Sequence, residues 1–352
     1  MEESAGSHRL DAERAKQICR DMLRAAGVPR QDAELIADTL VFAELRGVSS
    51  HGLVRLGSYI RRVKLGLMNP TASPCVVQKG ASTALVDGCN GFGQVVTMRA
   101  MNLAIEMAGA TGAAVVGVRN SNHFGAAAYY VMAAVKVGMI GVVLSNAAPA
   151  MAPWGGAVAM MGTNPLAIGI PAGEEPPVVL DMATSAVARG KIRLAAKKGE
   201  RIPEGWALNS KGEPTTDPQE ALAGTLLPAS GPKGYGLALV IDVLSGILTG
   251  SGFSRMVRSL DDMSGPVRAG HLVATINVQA FTNLPSFKAE VDAFIREVKD
   301  CPKAAGVDRI YLPGEIEFEA ASRLSERGIT VSDGVAADLK ALGAELGVDT
   351  MF

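Results

Sequence analysis

The chain has 352 residues, 48% of them hydrophobic and 20% charged, with a formal net charge of -1. That length supports two or three lobes with substantial cores, and the near-zero charge supplies no global field for nucleic acid or an anionic membrane. Four scattered cysteines, with no pair at metal-ligand or redox spacing, fit a reducing cytoplasm, and Met1 to Arg14 lacks the apolar stretch of a secretory signal.

From Leu10 to Leu65 the pattern is helical, with apolar residues at helical spacing in Ala15-Ile18-Met22-Leu23 and Leu35-Ile36-Leu40-Val41, and Pro29 between them. A third helix is expected from Ser49 or Ser50 to just before Asn69-Pro70. Its start, Ser49-Ser50-His51-Gly52-Leu53-Val54-Arg55, sets a hydroxyl, an imidazole and a guanidinium close together in a chain with only 4 histidines. His51 can exchange a proton near neutral pH. On one helix face with it, Arg55 can grip a carboxylate bidentately, and helix-start amides favour anions. A capped helix start with solvated side chains accounts for these residues equally well.

After Pro70, Thr83 to Val86, Ala113 to Val118, Ile140 to Leu144, Leu166 to Ile170 and Val178 to Leu180 read as strands, and Gln94 to Ala108 and Ala126 to Val137 as helices. Residues 184 to 230 read as a polar, loop-rich excursion, and Leu237 to Leu248, too short to span a bilayer, as a buried helix. His271 to Val278 reads as a strand, Leu284 to Val298 as an amphipathic helix, Arg309 to Leu312 as a short strand and Val335 to Leu346 as a helix. The 40 glycines suit a site built from tight turns.

The Gly-x-Gly-x-x-Gly fingerprint, the phosphate loop and zinc signatures are all absent, which disfavours ordinary Rossmann binding, phosphoryl transfer and zinc catalysis, and no metal is expected. What remains are strand-end turns. His123-Phe124-Gly125-Ala126-Ala127 opens a helix whose amides could hold a phosphate, or is a capped surface loop. Thr163-Asn164-Pro165 offers a hydroxyl, or is a common turn. Asp181-Met182-Ala183 ends a strand where open α/β sheets place ligand contacts, or caps a helix. Lys233 stands among Gly231, Gly234 and Gly236 and suits a phosphate or carboxylate, or is solvated. Pro313-Gly314-Glu315 is a turn that could touch a ribose. His8 and His271 read as structural.

In this order, Ser49-Ser50-His51-Gly52, Ser121-Asn122-His123-Phe124-Gly125, Gly162-Thr163-Asn164-Pro165, Asp181-Met182-Ala183 and Gly231-Pro232-Lys233-Gly234-Tyr235-Gly236 resemble the malate/L-lactate dehydrogenase family. The resemblance implies an α/β fold: a non-Rossmann nicotinamide-binding α/β domain with a helical domain formed by both chain ends. Expected divisions are residues 1–70, 71–265 and 266–352. It further implies a homodimer and an oxidoreductase that moves hydride between NAD or NADP and a small 2-hydroxy or 2-oxo acid of malate, lactate, sulfolactate or ureidoglycolate type. The alternative is an NADPH-dependent reductase of cyclic imino acids.

By the same resemblance, Ser50 and His51 form the proton-transfer pair, Arg55 clamps the substrate carboxylate, and Thr163 touches substrate. His123, Phe124, Gly125, Ala126, Ala127, Asp181, Met182, Ala183, Lys233, Pro313, Gly314 and Glu315 contact the cofactor. In the ureidoglycolate-type branch the histidine matching His123 is the proton acceptor, so two histidines compete for that role. Ser50 and Arg55 beside it favour His51. The imino-acid branch carries an acid after an Arg-Gly pair, whereas Arg189-Gly190 is followed here by Lys191, a positive charge suited to an acidic substrate.

Overall fold

The computed structural model describes residues 7–350. The chain enters through strand β1 (Ser7–Leu10) and helix α1 (Ala12–Ala25), whose first amides are capped by the Asp11 carboxylate. Helix α2 (Arg30–Leu45) starts after Pro29, as the sequence implies. The third helix does not start at Ser49. Two 3-10 turns, Ser49–His51 and Leu53–Arg55, come first, and α3 runs Leu56–Lys64. Gly52 breaks the helix between them with φ -93 and ψ -141, so His51 and Arg55 sit on successive turns and not on one helix face.

Next come β2 (Cys75–Lys79), β3 (Thr83–Asp87), α4 (Gly93–Thr111), β4 (Ala113–Ser121), α5 (Ala128–Lys136), β5 (Met139–Ser145), β6 (Leu166–Ile170) and β7 (Val178–Met182). The predicted strands and helices of this region are all present. β2, read as nothing in the sequence, is exposed along its whole length and shows no alternation.

The stretch read as a loop-rich excursion is instead a small packed lobe. It holds α6 (Arg189–Lys198), β8 (Ala207–Leu208), β9 (Pro214–Thr215), α7 (Pro218–Ala223) and β10 (Thr225–Leu226) around Met151, Ile192, Ile202, Ala221 and Leu226. Each element is too short to display a period, so the polar residues between them dominated the pattern.

Helix α8 (Pro232–Asp242) continues as one π-type turn, Val243–Ile247. It is not the buried helix its composition suggests: Leu237 is 45% exposed, Val240 51%, Ile247 53% and Leu248 64%. Only the opposite side, with Ala238, Ile241, Ser245 and Gly246, is buried.

β11 (Ala269–Asn277) then enters the centre of the seven-stranded sheet, ordered β2-β3-β4-β11-β5-β6-β7. Only the β3–β4 pair is parallel, unlike a doubly wound dinucleotide sheet. The period of two is visible in β11: Val273 joins the core under α4 and α5, and neighbouring Leu272 packs with Leu144 and Ile241 on the other face.

The chain closes with α9 (Leu284–Asp300), α10 (Glu315–Arg327), β12 (Ile329–Ser332) and α11 (Asp333–Leu346). Residues 309–312 belong to no strand, so the short strand expected there is not formed. β12 pairs antiparallel with β1, matching Leu10 to Ile329. One core joins Ile18, Met22, Ile36 and Leu56 to Ile329, Val331 and Leu339, which unites both ends of the chain in a helical unit.

Candidate active site

Buried Glu44, near the end of α2, anchors the turns that carry His51 and Arg55. Its Oε1 accepts the Leu53 N–H at 2.8 Å, and Ser49 also bonds to its carboxylate. The amide that the sequence reading offered to an anion is therefore taken by a protein carboxylate. Burial pushes Glu44 up, while the bonds from Ser49 and Leu53 pull it down.

Above this anchor Ser50 Oγ lies 3.0 Å from His51 Nδ1, and Arg55 Nε donates to the Ser50 carbonyl at 2.6 Å. That bond fixes the guanidinium through Nε and leaves both Nη groups without a partner among the described residues. The His51 and His123 rings stack at 5.5 Å and 16°. Desolvation, and next the Arg55 charge, push His51 down to about 4. Burial, then Arg55, His51 and His271, lower His123 well below the ordinary range. Two neutral imidazoles thus face a partner-free cation. This cluster draws on both the helical unit and the sheet domain, and the chain can exchange protons here beside a bound carboxylate.

Tyr59 and Gln94 complete it, and the sequence reading missed both. Tyr59 Oη is 2.7 Å from His123 Nδ1, and Gln94 Nε2 donates to Tyr59 Oη at 2.9 Å. The available signal was a glutamine beside Val95 and Val96 in the first turn of α4. Behind His123, the His271 ring bridges Ser121 and Ser145 at 2.8 Å on each side and lies against Phe124. His271 is structural, as expected.

Several of the remaining expected contacts are tied to one another through strand β7 and the turns at its ends. The Asp181 carboxylate accepts the Ala128 amide at 2.8 Å and also bonds the Ala127 amide, so these two helix-start amides are already occupied. Gly125, itself buried, has φ +81, and a Cβ there would meet nothing within 4 Å. Ala126, Ala127 and Phe124 are buried, with Phe124 inside the core. Met182 and Ala183 are half-buried. The Thr163 carbonyl accepts the Thr184 amide at 2.9 Å, joining that turn to the Asp181 segment. Gly234 packs so closely that a Cβ would stand 2.8 Å from the Thr184 carbonyl, which places the exposed Lys233 turn beside the same segment. Pro313 accepts the Val179 amide at 3.0 Å, and at Gly314 a Cβ would stand 2.9 Å from the Val179 carbonyl. The positive-φ Gly125 turn and the exposed amine of Lys233 suit a dinucleotide.

Three residues fall outside this arrangement. Glu315 is engaged by Lys299, Arg309 and the Leu312 amide, which overcome its burial and hold it down at about 2. Arg189 donates to the Leu222 carbonyl at 2.6 Å, within the small lobe. Lys191 is exposed and is not among the charges acting on His51.

With the geometry in place, the profile of the malate/L-lactate dehydrogenase family matches residues 10–340. The chain belongs to that family. It is 42% identical over 335 residues to the malate dehydrogenase of Pyrococcus abyssi, covering 93% of this chain and 92% of the relative. The solved sulfolactate dehydrogenase of Methanocaldococcus jannaschii is 42% identical, covers 97% of this chain and 98% of its own, and superposes with a TM-score of 0.93. A delta1-piperideine-2-carboxylate reductase from Pseudomonas syringae is 28% identical over 95% of this chain and 99% of its own, with a TM-score of 0.84. The family member is an NAD(P)-dependent oxidoreductase. No helix among the described residues is long and apolar enough to cross a membrane.

Proposed function

We propose that this protein interconverts a small 2-hydroxy acid and its 2-oxo acid, with His51 exchanging the proton and Arg55 holding the substrate carboxylate. The observation that carries this reading is the partner-free end of Arg55 beside the stacked His51 and His123 rings. When bound, the nicotinamide supplies or accepts the hydride. Gly125 to Ala127, the Asp181 segment, Lys233 and the Pro313-Gly314 turn would hold the dinucleotide.

In oxidation, neutral His51 accepts the hydroxyl proton at Nε2, and Ser50 accepts from Nδ1–H to keep that nitrogen protonated. In reduction His51 must first be protonated. Desolvation and, second, the Arg55 charge depress His51; a substrate carboxylate seated on Arg55 offsets the second of these, which favours the acid form. Thr163, whose hydroxyl has no partner among the described residues, would touch the substrate.

The second reading, reduction of cyclic imino acids, rests on the likeness to the piperideine-carboxylate reductase. Lys191 after Arg189-Gly190 weighs against it. Following nicotinamide absorbance with 2-oxo acids and cyclic imines, each with NADH and NADPH, separates the two. Turnover of imines alone overturns the hydroxy-acid reading.

We further propose a homodimer formed across α8. Leu237, Val240, Val243 and Ile247 recur at spacings of three and four and are all exposed, which builds one apolar stripe, and a second copy would cover it. Cys19, Cys75, Cys89 and Cys301 are free thiols, which supports a reducing cytoplasm.

A further inference from the structure

His123 carries one proton on two ring nitrogens, and the side chains behind it fix which one. Tyr59 and Gln94 are fully buried, so neither has water as an alternative partner. Tyr59 Oη receives an N–H from Gln94 at 2.9 Å. A phenol has a single proton, and its other near neighbour is His123 Nδ1 at 2.7 Å. With Gln94 donating, the Tyr59 proton goes to His123, and Nδ1 must accept it. The reversed Gln94 amide would instead bury an NH2 group where Oε1 now lies without a partner. A stranded carbonyl is better tolerated than stranded N–H donors. Burial keeps the Tyr59 hydroxyl protonated and His123 neutral.

We propose that Gln94 and Tyr59 are positioning residues that lock His123 as the Nε2–H tautomer, making it a hydrogen-bond donor to the substrate's C2 oxygen. Nε2 has no partner among the described residues, and His123 is only half-buried, so that nitrogen keeps contact with solvent. A nitrogen that already carries the proton cannot act as the base in oxidation. The relay therefore divides the labour between two stacked imidazoles: His123 polarises the oxygen, and His51 moves the proton. Donors aimed at developing charge are among the strongest sources of rate enhancement. This assignment rests on the hydroxy-acid reading for its consequence in turnover, but not for the tautomer itself.

The test is long-range proton–nitrogen correlation NMR of the unliganded, histidine-labelled full-length protein, with the His123 signal assigned by its loss in His123→Asn. The expected wild-type spectrum shows a neutral His123 with unprotonated Nδ1 and protonated Nε2. Tyr59→Phe should mix the tautomers and lower kcat about tenfold, roughly the worth of one hydrogen bond, with the KM for the cofactor unchanged. A wild-type His123 protonated at Nδ1 overturns the proposal even if the variant fails to fold. So does a Tyr59→Phe protein with the wild-type tautomer and wild-type kcat. A wild type with the expected tautomer but no turnover of any 2-hydroxy or 2-oxo acid would overturn the functional reading and leave the relay standing.

Discussion

Gly52 lies directly over the buried carboxylate of Glu44, so close that a Cβ at position 52 would stand 2.1 Å from Oε1. Glu44 in turn holds the Leu53 amide, and together they set the turns on which His51 and Arg55 stand. Gly52→Ala must displace a packed side chain, which typically costs about 1–3 kcal/mol. We expect a lower midpoint in urea and a several-fold loss of kcat/KM. Wild-type values for both would show that the Glu44 anchor is not required.

His51→Ala is expected to lower turnover by about a hundred- to ten-thousand-fold, the usual worth of a positioned acid or base. Cofactor affinity, measured by quenching of intrinsic fluorescence, should stay close to wild type. Activity within a few-fold of wild type would transfer the proton to another group.

Arg55→Lys should raise the KM for 2-oxo acids far more than for their uncharged amide analogues, because an ammonium cannot reproduce the guanidinium fork. Equal losses on acids and amides would remove Arg55 from the carboxylate.

The acid limb of activity should differ between free and bound enzyme. In oxidation, kcat/KM reports the free enzyme, where His51 is depressed to about 4, and kcat reports the complex. Once a substrate carboxylate offsets Arg55, His51 rises, so the apparent pKa in kcat should exceed that in kcat/KM. The reverse order would contradict substrate-linked protonation.

Stability should fall on acidification. The unfolded chain protonates its histidines near pH 6.5, whereas folded His51 stays neutral to about 4 and His271 to about 3. Between those limits the unfolded state binds more protons, so these histidines make stability rise with pH. Urea midpoints measured from pH 7 to 5 should decline, and His271→Asn should flatten the slope. An unchanged slope in the variant would remove His271 as a source.

The strands and long helices were legible because β4, β5 and β6 are short apolar runs rich in valine or isoleucine, and α1 and α2 carry apolar residues at helical spacing. The small lobe was not, because two-residue strands have no period to read. The stripe on α8 was misjudged for a different reason: composition records that Leu237 and Val240 are apolar, not which face finds a partner. His51 and His123 were visible as scarce residues in motif order, and Arg55 by its place four residues after His51. Tyr59, Gln94 and Glu44 were not, since each acquires its role from contacts made by sequence-distant or looped segments. Glu315 looked free in sequence because Lys299 and Arg309 are brought to it only by the fold.

The most direct measurement is nicotinamide absorbance in wild type and His51→Ala, with NADH and NADPH, across oxaloacetate, pyruvate, sulfopyruvate, their amide analogues and a cyclic imino acid. Wild type should turn over at least one open-chain 2-oxo acid, discriminate against its amide, and lose that activity with His51. Turnover confined to the imino acid, or a His51→Ala enzyme within a few-fold of wild type, would contradict the account.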